Sequence, residues 1–277
     1  MAFVSTLDLL LDAQKNHYAV GAFNIENLET AQAVVDAAER TGAPVIIQTT
    51  ASSIRYAGVG PFSGIVHALA ENSSARIALH LDHGDSFDLA KKCVEAKYAS
   101  VMIDGSKLPF EENIALSRSV VEMAGNIPVE AELGTVGGKE ENDMAAGEAA
   151  YTDPQTAVEF VERTGVSFLA VAIGTAHGIY KGIPKLDIPR LAKINSLVSV
   201  PLVLHGASGV PDDQVRATIK NGITKVNYAT ELRIAFTRGV RQAITDEKIY
   251  DPKVYLKAGR AEASRFVEER IHVVTGI

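Results

Sequence analysis

R-I-A-L-H-L-D-H-G, residues 76–84, joins a continuously apolar run to an aspartate flanked by two histidines. The apolar half reads as a strand buried on both faces. Strands of a parallel sheet are covered by helices on each side, so they lack polar alternation. A polar cluster at the end of such a strand needs a use. Metal ligation, acid catalysis and a packed histidine with a hydrogen-bond partner are all open at this point.

Seven further runs follow the same plan: AVGAFNI (19–25), PVIIQTT (44–50), SVMIDGS (100–106), PVEAELG (128–134), FLAVAIG (168–174), PLVLHGA (201–207) and TKVNYAT (224–230). Helical periodicity fills the gaps. ETAQAVVDAAERTG ends in Gly42, a C-cap residue. SFDLAKKCVEAK starts at Ser86, and TDPQTAVEFVERTG opens on Thr152 or Asp153 with Pro154 at the first helical position and Gly165 at its end. PDDQVRATIKNG repeats that plan between Pro211 and Gly222, and a long helical pattern, YLKAGRAEASRFVEERI, closes the chain. Eight strands alternating with helices predict an α/β fold of the (β/α)8 TIM-barrel type, with an N-terminal helix and a C-terminal helical extension. An open doubly wound sheet is the alternative, but GAFNIEN (21–27) is not the glycine-rich turn such a sheet usually carries. No composition shift marks a second domain, so residues 1–277 are expected to form one barrel domain. The stretch at 134–150, with four glycines and four acidic residues, is expected to be a long mobile loop.

The 277 residues are 47% hydrophobic and 22% charged, an ordinary globular composition. A formal net charge of −7 argues against nucleic acid or an anionic membrane as partner. No apolar run approaches the ~20 residues of a membrane span. The N-terminus lacks a basic n-region, so no signal peptide is expected. Cys93 stands alone and is read as a core residue, which makes the cytoplasm the expected compartment.

The C-terminal ends of the runs are polar: Asn24, Thr49 and Thr50, Asp82 and His83, Asp104, Glu130 and Glu132, His177 just beyond Gly174, His205, Asn227 and Thr230. In a barrel these ends converge on one rim, where barrel active sites sit. His83, His177 and His205 could there form the facial ligand set of a catalytic zinc; the plainer reading is three unrelated hydrogen-bonded histidines. His80, two residues deeper than Asp82, reads as support, and His17, His67 and His272 as structural. HGASGVP (205–211) and NYAT (227–230) follow strands seven and eight, where this fold usually holds a phosphate. The residues therefore predict a metal-dependent barrel enzyme acting on a phosphorylated substrate. Carbonyl polarisation, for aldol or enolisation chemistry, and water activation, for hydrolysis, both stay open.

YAVGAFNIENLET (18–30), LHLDHG (79–84), SVMIDGS, VEAELGTVGG (129–138), AVAIGTAHGIY (170–180), PLVLHGASGVP (201–211) and KVNYATELRIAF (225–236) run nearly end to end. Together they resemble the class II, metal-dependent ketose-bisphosphate aldolases, particularly the tagatose-bisphosphate branch. The resemblance implies His83, His177 and His205 as Zn2+ ligands, with Asp104 and Glu132 holding a displaced or second metal. It implies Asp82 as the acid/base on the C4 hydroxyl and Glu140 as the residue exchanging the C3 proton of dihydroxyacetone phosphate. Gly178, Gly206, Ser208, Asn227 and Thr230 would hold the dihydroxyacetone phosphate half, with Asn24 beside them. Ser53 and Arg55 are candidates for the far end of the substrate. Some relatives also use a monovalent cation, Na+ or K+. A homodimer or homotetramer is implied, and some tagatose-type relatives need a non-catalytic partner subunit.

Two departures bear on the substrate. Ala229 stands where the fructose branch more often carries aspartate, so NYATE follows the tagatose-like form. Lys253 stands where relatives usually carry an arginine that contacts the distal phosphate, commonly from a neighbouring subunit. Lysine offers a point charge in place of a planar fork. The expected reaction is reversible cleavage of a ketose 1,6-bisphosphate, tagatose or fructose type, to dihydroxyacetone phosphate and glyceraldehyde 3-phosphate. Alternatives are a ketose 1-phosphate with another anion at C6, such as a sulfonate, or a non-catalytic sugar-phosphate-binding barrel. A Schiff-base enzyme built on Lys225 and a zinc hydrolase are the mechanistic rivals.

Overall fold

The structure, a computed structural model, describes residues 3–138, 151–180 and 182–277. Ten strands occur among them: β1 (Val20–Asn24), β2 (Val45–Thr50), β3 (Ile77–Gly84), β4 (Ser100–Ile103), β5 (Val129–Leu133), β6 (Gly137–Gly138), β7 (Phe168–Val171), β8 (Ala176–His177), β9 (Leu202–Leu204) and β10 (Ile223–Tyr228). Eight of them close into a barrel in the order β1-β10-β9-β7-β5-β4-β3-β2. Every pairing is parallel, from Val20 opposite Lys225 to Gly21 opposite Val45. This is the expected (β/α)8 fold. β6 and β8 form a separate two-stranded pair above it, which the sequence reading did not anticipate.

The outer ring follows from local signals. Asn27 caps α2 (Leu28–Thr41) through a reciprocal bond with Thr30, and Gly42 ends it at φ 70°. Ser86 caps α5 (Phe87–Glu95). Asp153 caps α7 (Pro154–Thr164) by accepting from the backbone N–H groups of Gln155 and Thr156. Thr152 does other work: its hydroxyl bonds to the Leu133 carbonyl and it accepts from Ala172 N, tying β5 to β7. Cys93 is buried, and burial pushes its thiol up to about 12, as a core residue requires. The remaining helices include α1 (Thr6–Asn16), α3 (Ala51–Ala57), α10 (Thr230–Ala243) and the C-terminal α11 (Pro252–Thr275), which packs against α10 and α2.

Strand alternation divides the core. Phe23, Ile47, Leu79, Leu81 and Ile103 face the helices in one large cluster. Val20, Ala22, Ile46, Ala78, Phe168, Ala170 and Val203 form a second, interior cluster with Leu9, Leu10 and Ala13 of α1. α1 therefore plugs the mouth where the strands begin, leaving the opposite mouth for polar groups. Leu10 is fully buried there. Leu10→Ala is expected to cost ~2–5 kcal/mol, read as a lower denaturant midpoint with unchanged m-value. Among the described residues, no helix is long and apolar enough to cross a membrane.

Candidate active site

At the open mouth Asn24, Thr50, Asp82, His83, Asp104, His177, Asn227 and Thr230 line one cavity of about 380 Å³, while His205 and Glu132 are buried and do not line it. β3 finishes with His83 in the left-handed region at φ 46°, a conformation that costs a non-glycine residue ~1 kcal/mol or more. Gly84 follows, where a Cβ would meet the Met102 carbonyl oxygen at 2.2 Å, so β3 closes tightly on β4. The turn sets His83 near His177 and His205, with ring centroids 5.0 and 4.5 Å away. The three histidines offer nitrogens that lie within 4.8 Å of one another, and His83, Asp104 and Glu132 form a second such group. His83 Nδ1 lies 2.9 Å from Asp104 Oδ2. The sequence-predicted metal ligands are thus brought together.

His205 shows that the donor set suits a cation. Its Nε2 lies 2.7 Å from Glu130 Oε1. A carboxylate only accepts, so Nε2 carries the proton and Nδ1 of the neutral ring presents a lone pair. Nδ1 is buried without a hydrogen-bond partner, and so is Glu132 Oε2, 3.1 Å away. Two facing buried lone pairs are costly unless something positive lies between them. A proton and a divalent cation compete for that position. Burial and the neighbouring His83 push the His205 imidazole down, yet the carboxylates of Glu130 and Glu132 outweigh them and raise it to about 9. Glu132 itself is raised by burial and by Asp104.

Asp82 is almost fully buried beside this cluster and lines the cavity. Asn24 Nδ2 donates to its Oδ2 at 2.7 Å and Asn227 Nδ2 to its Oδ1 at 3.0 Å. Gln48 Nε2 holds Asn24 in turn, at 2.7 Å. Burial favours the neutral acid, but the charges of His83, His205 and Lys225 prevail and hold the Asp82 carboxyl at about 2. It is an oriented, ionised carboxylate at neutral pH. The Asn227 Oδ1 is buried without a hydrogen-bond partner, on a side chain that lines the cavity.

Gly178, Gly206, Ser208, Asn227 and Thr230 line the same cavity. Gly206 sits at φ 65°, and a Cβ there would lie 2.6 Å from the Ala176 carbonyl oxygen, so the β9 end and β8 touch backbone to backbone. Tyr180 fastens this contact: its hydroxyl donates to the Gly206 carbonyl at 2.8 Å and accepts from Ala176 N at 2.7 Å. β8 also pairs with β6, Gly138 opposite His177. Sequence reasoning passed over Tyr180, although it stands in the AHGIY motif. Tyr180→Phe leaves the Ala176 N–H unsatisfied and is expected to cost ~1–3 kcal/mol, measured by chemical denaturation.

Other expected residues fall differently. Arg55 lines the cavity with its guanidinium 2.6 Å from Asp85. Ser53 does not line it; its hydroxyl donates to Glu26 Oε2 at 2.7 Å, and Glu26 also accepts from Arg233. Lys253 lies at the start of α11, 88% exposed and paired with Asp251, and it lines a separate cleft between α2 and α11. Lys107 and Arg233 line the main cavity and were not anticipated. Glu140 lies outside the described residues, as does most of the loop expected at 134–150. Lys225, the Schiff-base alternative, does not line the cavity; its Nζ donates to Glu130 Oε2 at 2.8 Å in the closed interior. His80 Nδ1 lies 2.7 Å from Ser100 Oγ, in the supporting place expected of it. His67 Nε2 contacts the Lys97 carbonyl oxygen, His272 the Ile277 carbonyl oxygen, and His17 ends α1.

Fold and rim together define a TIM barrel with a histidine–carboxylate cluster that could hold a cation at its C-terminal mouth. Residues 4–276 match the model of the family described as fructose-bisphosphate aldolase class-II. The chain belongs to the class II aldolase family and is an aldolase, a carbon–carbon lyase. It is similar to the YdjI aldolase from Escherichia coli K12, with 34% identity, a TM-score of 0.86, and 98% of this chain and 97% of that one covered. The fructose-bisphosphate aldolase of Campylobacter jejuni shares the fold at a TM-score of 0.85 and 23% identity, with 99% and 95% covered.

Proposed function

We propose that the chain is a zinc-dependent aldolase that reversibly cleaves a ketose 1,6-bisphosphate, tagatose or fructose type, to dihydroxyacetone phosphate and glyceraldehyde 3-phosphate. The observation that carries this reading is the Asp82 carboxylate, oriented by two asparagines and sharing one cavity with His83, His177 and Ser208. His83, His177 and His205 would hold the zinc, with Asp104 and Glu132 as a second position beside His83. Bound there, the ion supplies Lewis-acid stabilisation of the negative charge that develops at the ketone oxygen when the C3–C4 bond breaks.

The chain's own residues do the rest. Asp82 takes the proton from the C4 hydroxyl in cleavage and returns it to the aldehyde oxygen in condensation. Asn24 and Asn227 keep its oxygens aimed, and Asn227 Oδ1 accepts from a substrate hydroxyl. Gly178, Gly206, Ser208 and Thr230 cradle the phosphate of the dihydroxyacetone half. Glu140 is assigned the C3 proton. Cleavage of tagatose and fructose 1,6-bisphosphates, before and after chelation and on return of zinc, tests the reading. Chelator-sensitive cleavage of either is the expected result. A fully zinc-loaded chain that cleaves neither sinks it.

A second reading concerns the C6 end, and the position of Lys253 in another cleft favours it. The cations lining the main cavity are Arg55, Lys107 and Arg233, with Asp85 paired to the first. A ketose 1-phosphate with a less charged C6 anion, a sulfonate or carboxylate, then suits Arg55 and Lys107 within one chain. Lys107→Ala is expected to raise KM ~10-fold or more with little change in kcat, as loss of a charge-assisted contact would. Lys253→Ala raising KM instead would return the distal contact to a neighbouring subunit.

A further inference from the structure

Below the cation site lies a carboxylate that the proposed chemistry leaves unused. Glu130 is fully buried in the barrel interior, one inward step beneath Glu132 on β5. Three strands converge on it. Lys225 Nζ of β10 donates to Oε2 at 2.8 Å, and His205, just past the end of β9, reaches Oε1 at 2.7 Å. His80 Nε2 of β3 lies 3.2 Å from Oε2. The far side of His80 continues through Ser100 Oγ to the Thr6 hydroxyl of α1, each step 2.7 Å. No substrate reaches this group, since Glu130 does not line the cavity.

We propose that Glu130 is a positioning residue for the ligand His205: it fixes the ring with Nε2 protonated, so that Nδ1 is the atom presented to the metal. The inference rests on the metal-aldolase reading and adds to it which nitrogen binds and what holds it there. A histidine without such an acceptor divides between two tautomers and several ring angles, and only one combination aims Nδ1 at Glu132 and the other histidines. Lys225 keeps Glu130 in place: its ammonium spans from β10 to Oε2 and leaves Oε1 for His205. The buried lysine thus serves the metal through Glu130, not as a nucleophile. Carboxylate partners of metal-bound histidines raise metal affinity by orienting the ring and increasing its basicity, typically ~10–100-fold.

Two measurements test this. Zinc affinity, by competition with a chromophoric chelator, is compared between the parent and Glu130→Leu/Lys225→Met, which removes the acceptor of His205 and both buried charges, so that no ammonium is left unpaired. The double variant is expected to bind zinc ~10–100-fold more weakly while its chelated form keeps the parent's circular dichroism. Affinity within threefold of the parent overturns the proposal. The second measurement needs no variant. In the 15N-histidine-labelled, zinc-loaded parent, one of the seven rings is expected to show a protonated Nε2 and a metal-bound Nδ1, and His205→Gln removes that signal. A His205 ring bound through Nε2 overturns the proposal even if the double variant does not fold. A parent that binds no zinc would overturn the metal-aldolase reading instead, which separates the two failures.

Discussion

A His177→Ala chain is expected to purify folded, to lose zinc on dialysis, and to retain less than about a thousandth of the parent kcat. His177 is half-buried on the short β8 strand and stands outside the Glu130 network, so its removal disturbs the barrel interior less than loss of His205 would. The expected loss follows from what a bound cation contributes, several kcal/mol of charge stabilisation, at ~1.4 kcal/mol per tenfold in rate. Metal analysis after dialysis, beside kcat with zinc in excess, reads both parts. A variant that holds one zinc per chain and keeps a tenth of the activity would remove His177 from the ligand set.

Asp82→Asn is expected to lower kcat ~10²–10⁴-fold with zinc content unchanged. The magnitude is that of a positioned proton-transfer group; KM is expected to rise by a smaller factor, because the new amide NH2 meets the Asn24 or Asn227 donor and one of them must turn. One consequence concerns pH. Without metal the carboxyl is held at about 2 against burial by His83, His205 and Lys225, and a bound cation would replace the two imidazolium charges with its own, so it is expected to be ionised throughout the working range. Any acid limb of the cleavage profile above about pH 4 belongs to another group, and Asp82→Asn should leave its midpoint in place. A midpoint that moves with the substitution would show that Asp82 titrates there.

The eight barrel strands were legible because their signal is local: each is a short apolar run closed by a polar end, and β1, β3 and β5 fall within a residue or two of expectation. The runs ending at Gly174 and Ala207 were read too long, since β7 stops at Val171 and β9 at Leu204. There the chain stays buried but leaves the ladder, which hydrophobicity alone does not reveal. β6 and β8 escaped notice for the opposite reason: two glycines and an Ala–His pair have no strand signature, and their pairing depends on where β5 and β7 end. The three histidines, Asp82, Asp104 and Glu132 were legible as polar strand ends. Glu130 was read as a rim residue beside Glu132, but it lies one step inward in the closed interior, off the cavity, with Lys225 and His80. Deep in their strands, they mean little singly and become a network only once closure brings β3, β5, β9 and β10 around one point. Ser53 and Lys253 went elsewhere because position in sequence does not say which neighbour a side chain meets first. Glu26 meets Ser53, and Asp251 meets Lys253.

The left-handed backbone at His83 sets a hazard for anyone improving this molecule by directed evolution. Position 83 asks for a conformation that glycine adopts freely and asparagine tolerates, while the chemistry asks for an imidazole. A library that fills left-handed positions with glycine would write in His83→Gly, which relieves the backbone but strips Asp104 of its 2.9 Å partner and the rim of an imidazole. Selection therefore needs turnover in the same round as heating, and position 83 should be left out of any consensus-style library.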